Sequence, residues 1–304
     1  MRGIANMPEA FTRSSTVNPA PLHSAITQMR MLGRSVTAAV SVHSAAMVNA
    51  WAPWVTRVYL GWEFCPNLFP SRVRLLEMAW AAWQSGVEAT VATPFLPESS
   101  YDHIATTVRS LADRWSSWTG GRLELVVNDI GLLSELRTAA NVELVAGRML
   151  NKQRRDPRVA EVSETLPPEF AQYLRSSSSS SSLFLKWLGC VGIKRAEFDN
   201  SPAGFVPVDG SIARTLHFPF AYVASGRNCA WAAAAGENAG NYDVPCKQEC
   251  QVGPAFLKTP GLRFTLHSFG NTLFFRHDDL HPAIDLLAPD RLVYTPDLPI
   301  HRLE

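Results

Sequence analysis

The strongest constraint on the fold of this chain is a rhythm running from Arg57 to Ala146. Short apolar runs rich in β-branched residues, too brief for helices, alternate with amphipathic stretches of helix length. Val58-Tyr59-Leu60-Gly61 reads as a buried strand closed by glycine. Residues 71–86 read as a helix with Ser71 as N-cap and Gly86 as stop, presenting Val73, Leu76, Met78, Ala79, Trp80 and Trp83 on one face. Strands at 89–95, 123–127 and 142–146 then alternate with helices at 101–115 and 131–140. A helix between consecutive strands is what right-handed parallel crossovers need, so the class is α/β.

Polar residues follow directly on the apolar runs: Glu63 and Cys65, Thr93, Asn128 and Asp129, Gly147 and Arg148. In parallel barrels the C-terminal strand ends build the active face, and this favours a TIM-barrel-like parallel barrel, complete or distorted, over an open sheet. Open doubly wound sheets also bind ligands at strand ends, so the pattern decides the location of a site better than the topology. No Gly-rich dinucleotide fingerprint follows the first clear strand.

Residues 151–182 break the rhythm. They contain the basic turn Lys152-Gln153-Arg154-Arg155, read as a solvated loop, then Pro157, Pro167-Pro168 and serines from Ser176 to Ser182. The serine run buries no apolar area and is expected to be a mobile surface linker. The α/β pattern resumes with a helix at 183–188 and strands at 193–198 and 216–223. Short strands at 264–266, 272–275 and 292–294 follow, with a helix near 280–287. Before the rhythm begins, residues 1–50 carry Arg2, Arg13, Arg30 and Arg34 against the single acid Glu9. They are set apart as an N-terminal extension or presequence, with a poorly patterned first strand and helix as the equal alternative. The main domain is placed at 51–304.

Apolar residues make up 46% of the chain and charged residues 18%, as in ordinary globular proteins. A net charge of +1 provides no global field for nucleic acid or an anionic membrane. No apolar stretch is long enough to span a bilayer, so a cytoplasmic protein is expected, or a mitochondrial one if the first fifty residues are a presequence.

Five cysteines at low density do not form a secreted disulfide framework. Cys229, Cys246 and Cys250 give the spacing C-x16-C-x3-C in a segment rich in Ala, Gly and Asn, and Cys65 is the candidate fourth thiol, on the loop after the first clear strand. Four thiolates serve structural zinc or an iron-sulfur cluster, and the spacing alone leaves both open beside unlinked thiols. Cys190, between apolar neighbours, reads as a small buried hydrophobe.

Several segments together resemble the peptidase U32 family: Val58-Tyr59-Leu60-Gly61 with Cys65, Leu125-Val126-Val127-Asn128-Asp129-Ile130-Gly131, Gly147-Arg148-Met149-Leu150-Asn151, and Arg227-Asn228-Cys229 leading into the cysteine array. The resemblance spans residues 57–276 and is greatest to the small U32 proteins of anaerobic ubiquinone biosynthesis. It implies a barrel-like domain with a [4Fe-4S] cluster on Cys65, Cys229, Cys246 and Cys250, with zinc as the alternative. It also implies an oxygen-independent hydroxylation of a small aromatic or quinone-precursor substrate, with a second U32 protein as heterodimer partner. An RNA-base hydroxylation factor, a metal-stapled accessory or binding subunit and a peptidase are the alternatives, although no Gly-x-Ser-x-Gly elbow or His-Glu-x-x-His is present. Two features depart from the family pattern: the longer spacing between the first two late cysteines, and Trp62 inserted between Gly61 and Glu63. Asn128, Asp129, Arg148, His217 and Arg227 are the candidate substrate-facing residues. Each has a structural alternative, such as helix capping by Asp129, an ion pair for Arg148 or a satisfied core histidine for His217.

Overall fold

The computed structural model describes residues 17–163, 165–236, 246–258 and 264–298. The strands are β1 (Thr37–Ser41), β2 (Arg57–Gly61), β3 (Glu88–Ala92), β4 (Leu123–Val127), β5 (Val142–Ala146), β6 (Arg195–Asp199), β7 (Ala213–Phe218), β8 (Phe220–Ser225), β9 (Ala255–Leu257), β10 (Leu266–Phe269), β11 (Thr272–Arg276) and β12 (Arg291–Tyr294). Eight of them close into a parallel barrel in the order β1-β12-β7-β6-β5-β4-β3-β2. The other four form a second sheet in the order β8-β11-β10-β9, all antiparallel, inserted between β7 and β12.

Helix α1 (Ala20–Met31) precedes β1, and α2 (Ala45–Trp51), α3 (Arg72–Gln84), α4 (Glu98–Thr119) and α5 (Ile130–Leu136) follow between the barrel strands, with further short helices later in the chain. Outward strand residues such as Val58, Leu60, Val91, Leu125, Leu216 and Leu292 pack with Leu75, Met78, Ile104, Leu111 and Leu132 of the helices in one apolar cluster. Each such side chain contributes about 1.5–3 kcal/mol by leaving water. Ser71 caps α3 by accepting from Arg74 N, and Asp129 caps α5 by accepting from Leu132 N at 2.9 Å. Gly120 ends α4 in the left-handed conformation at φ 69°.

Several sequence expectations are corrected. The division at residue 50 does not hold, because β1 is a barrel strand: Thr37 pairs with Arg291 and Ala39 with Arg57. Its sequence, Thr-Ala-Ala-Val-Ser, has little β signal of its own, and its strand state comes from neighbours on both sides. The single strand expected at 216–223 is two strands in different sheets. Pro219 cannot donate to a ladder and separates β7 from β8.

The serine run is not a mobile linker. Ser179 is fully buried, with its amide (3.1 Å) and hydroxyl (2.9 Å) both donating to Asn151 Oδ1. Ser178 N donates to Lys152 O at 2.8 Å, and Ser177 N donates to the Ser180 hydroxyl at 3.1 Å. Short hydroxyl side chains supply local hydrogen bonds where apolar area is missing.

On α3 the buried residues are Leu75, Met78, Ala79, Ala81 and Ala82, while Val73 is exposed. Trp80 and Trp83 are partly exposed and stack with Trp118 of α4 outside the core. Cys190 is exposed rather than buried, at the end of the helix Ser182–Cys190.

Candidate active site and cysteine cluster

Alternation along the barrel strands turns every second side chain inward. Here those positions carry polar groups where parallel barrels usually hold branched aliphatics: Arg57 and Tyr59, Thr90, Glu124, Glu197 and Asp199, Thr215 and His217, and Arg291. Toward the strand N-termini, Arg291 donates to Glu124 (NH2 to Oε2, 3.1 Å) and to the Tyr59 hydroxyl (2.9 Å). Thr90 donates to Glu124 at 2.6 Å, and Arg57 donates to Thr90 at 2.9 Å. Arg291 and Arg57 hold the Glu124 carboxyl below its usual range despite the opposing effect of burial, the largest single influence on it. A small apolar layer of Ala39, Ala92, Val126, Val145 and Val293 also lines the interior.

At the C-terminal mouth the loops after β2 and β5 meet the end of β6. Arg148 Nε donates to Glu63 Oε2 at 2.6 Å, and its NH1 donates to Asp199 Oδ1 at 2.7 Å. Arg155 pairs with the other Asp199 oxygen and donates to the carbonyls of Arg148 and Asn151. Asn128 Nδ2 donates to Glu63 Oε1 (3.1 Å) and Thr93 O (2.8 Å), while its Oδ1 accepts from Met149 N (2.8 Å). Aromatic faces cover both guanidinium groups: Phe64 lies 4.8 Å from Arg148, and Tyr222 lies 4.2 Å from Arg155. All four charges are buried, and each is paired, as burial of charge requires.

Beside this network opens a small cleft, part of it in contact with solvent. Its polar wall includes Arg148, Glu63 and His217, and its apolar wall includes Trp62, Phe220 and Phe274. Ser41 and Thr295 also line it, and their hydroxyls bond each other at 3.2 Å rather than a histidine.

The sequence candidates thus have unlike positions. Arg148 and His217 share the cleft wall, and Asn128 reaches it through Glu63. Asp129 is occupied in capping α5 and in accepting from Leu96 N (3.4 Å), its structural alternative. Arg227 is exposed on the loop before Cys229. Sequence reasoning overlooked Glu197, Tyr59, Arg291 and Glu124, and it read Arg155 as part of a solvated turn. The available signal was the period of two: Arg195, Glu197 and Asp199 alternate with apolar residues, as do Arg57 and Tyr59.

The four remaining cysteines come from three separate stretches, and Cys65, Cys229 and Cys250 meet at the turn between β10 and β11. The Cys229 thiol donates to Gly270 O at 3.3 Å, Cys250 is hydrogen-bonded to the Gly270 backbone, and a Cβ on Gly270 would lie 3.9 Å from the Cys65 sulfur. Cys246 accepts from Gln248 N at 3.3 Å, and Gln248, in the left-handed region at φ 56°, donates its side-chain amide to Asn67 O at 2.7 Å. Gln248 thereby ties the late cysteine loop to the loop of Cys65.

Burial pushes the Cys65 thiol up to about 12. A bond from the Asn67 backbone opposes this shift, and the charges of Cys246, Cys250 and Cys229 add to it. Burial likewise pushes Cys250 up to about 12 and raises Cys246. The thiols are thus close enough to feel one another, although among the described residues no three His, Cys, Asp or Glu side chains stand at metal-holding spacing. The donor set itself, four thiols on three loops, suits a soft or borderline metal centre.

No family model matches the sequence, and no curated protein matches it. Among solved structures, one described as a U32 peptidase is similar, with 10% identity, a TM-score of 0.43, and coverage of 88% of this chain and 94% of that chain.

Proposed function

We propose that this protein is an iron-sulfur protein of U32 type that supports an oxygen-independent hydroxylation of a small aromatic substrate held at the barrel mouth. The observation that carries the reading is the convergence of Cys65, Cys229 and Cys250 at Gly270, from positions up to 185 residues apart (250 − 65), with Cys246 near enough for its charge to act on Cys65. Cys190, the fifth cysteine, takes no part. The sequence resemblance selects the same four thiols and supplies iron-sulfur over zinc, the reaction class, the quinone-precursor substrate and a second U32 protein as partner.

A [4Fe-4S] cluster on these thiols would supply one-electron transfer. Phe64 couples the two regions: it packs with Cys65 and Cys250 in one apolar cluster and lines the cleft beneath Arg148. The Glu63–Arg148–Asp199–Arg155 network holds the polar wall rigid, and the aromatic wall fits a flat ring.

Protein purified without oxygen is expected to be brown, with iron and acid-labile sulfide near four each per chain, the cluster's own stoichiometry. Cys65→Ala and Cys246→Ala should lose the visible absorption, and Cys190→Ala should keep it. Colourless protein with stoichiometric zinc would reduce the centre to a structural staple.

A further inference from the structure

Two polar atoms of residues lining the cleft are buried without a hydrogen-bond partner among the described residues: Trp62 Nε1 and His217 Nδ1. Both residues line the cleft, and they are 7% and 2% exposed. An unmade buried hydrogen bond costs about 1–3 kcal/mol, so two such atoms on residues lining one cleft point to a ligand that completes them. The other His217 nitrogen is committed, since Nε2 bonds Glu197 Oε2. Glu197 is fully buried, and its second oxygen accepts from the Tyr59 hydroxyl at 3.0 Å.

We propose that His217 and Glu197 form a proton relay serving the cleft, in which Nδ1 takes the proton of a phenol-class hydroxyl while Nε2 passes its own proton to Glu197. The ligand's O–H bond breaks as Nδ1–H forms, and Nε2–H breaks as Oε2–H forms. The ligand becomes an oxyanion, the carboxylate becomes a carboxylic acid and the imidazole stays neutral. Trp62 Nε1–H is a donor to the same ligand. The phenol class rests on the aromatic-substrate reading above, and the relay does not depend on the metal centre.

The surrounding charges suit this arrangement. Burial, reinforced by Arg148 and Arg291 against Glu63 and Asp199, pushes His217 down to about 3. Burial pushes Glu197 up to about 7, with Arg291, Arg195 and the Tyr59 hydroxyl opposing and Glu124 assisting. The histidine is therefore uncharged near neutrality, and the carboxyl is the member of the pair that gains or loses the proton, through the imidazole. A group exchanging near the working pH is what proton transfer at neutral pH requires. An ordinary ion pair would place an imidazolium beside a carboxylate.

Nitrogen NMR of the full chain carrying ¹⁵N-histidine tests the relay, with the signal assigned by its loss in His217→Gln. The ring should remain neutral from about pH 5.5 to about pH 8.5, a span over which an ordinary histidine loses its charge. It should change from the Nδ1–H to the Nε2–H tautomer near neutrality. Glu197→Gln should abolish the change. Tyr59→Phe, which removes a donor to the carboxylate, should move it to higher pH, and decides the matter if Glu197→Gln does not fold. Phenol should shift the Nδ1 resonance saturably, with binding weakened about fivefold in Trp62→Phe by loss of one hydrogen bond. An imidazolium at neutral pH, a single tautomer throughout, or a change that persists in Glu197→Gln overturns the relay and leaves the aromatic reading standing. An Nδ1 resonance unmoved by phenol overturns the phenol assignment together with that reading.

Discussion

Replacing Arg148 by Met removes the cation shared by two buried carboxylates while keeping much of its aliphatic stem. Asp199 retains Arg155 as a partner, but Glu63 keeps only hydrogen bonds from Asn128 Nδ2 (3.1 Å) and the amide of residue 148 (3.3 Å). Glu63 is 2% exposed, so little solvent reaches it to take the place of the guanidinium. Breaking a buried pair in this way costs about 3–5 kcal/mol, chiefly for the charge left behind. Unfolding entropy of about 2.1 cal/mol/K per residue gives about 0.6 kcal/mol/K for a chain of this size, so the melting temperature should fall by about 5–8 °C. Urea denaturation of the single variants and of Glu63→Gln/Arg148→Met closes a double-mutant cycle. Removing the lone charge should recover more than about 1 kcal/mol relative to the summed single effects. A loss below about 1 kcal/mol for Arg148→Met, or strict additivity in the double variant, would refute the account of a tightly paired buried network.

Glu197→Gln should change how stability depends on pH. Between the unfolded values of 4.5 for Glu and 6.5 for His, folded Glu197 holds a proton that the unfolded chain releases, so its contribution falls as pH rises. Folded His217 lacks a proton that the unfolded chain holds, so its contribution rises over the same window, and the two oppose each other. With Glu197 neutralised, stability measured by urea denaturation should rise from about pH 4.5 to about pH 6.5 by up to ~1.4 kcal/mol per unit. A slope equal to the wild type's would contradict the assignment.

Two glycines should respond with opposite sign to alanine. A Cβ on Gly147 would lie 2.2 Å from Asn128 Oδ1, a side chain pinned at both ends, so Gly147→Ala should lose about 1–3 kcal/mol. A Cβ on Gly189, within the helix Ser182–Cys190, meets nothing within 4 Å, so Gly189→Ala should gain about 0.5–1 kcal/mol. Matched urea titrations of the two variants test both signs.

The local rhythm of the sequence determined much of the scaffold. Strands at 123–127 and 142–146 stand where their β-branched runs and flanking turn residues place them, and α3 begins at its Ser71 cap. The polar residues after the apolar runs marked the mouth correctly because the C-terminal ends of parallel strands share one face of a barrel. Period-two polarity in β2 and β6 was also present in the sequence, although its meaning depended on knowing that both faces of those strands are buried.

Tertiary structure alone decided which distant groups meet. The barrel closes between β12 and β1, the latter a strand of weak local signal, in a pairing that joins Thr37 to Arg291, and no local pattern encodes that register. Tyr59, Glu197 and His217 come together across the barrel interior because its closure and strand stagger bring their inward positions together. Serines that compose a linker by content are held in place by one buried asparagine, Asn151. The sequence by itself set four cysteines apart as candidates and left a metal centre open beside unlinked thiols. Only the inserted antiparallel sheet, with its turn at Gly270, brings Cys65 to Cys229 and Cys250, since the energy of that gathering lies in long-range packing rather than in local preference.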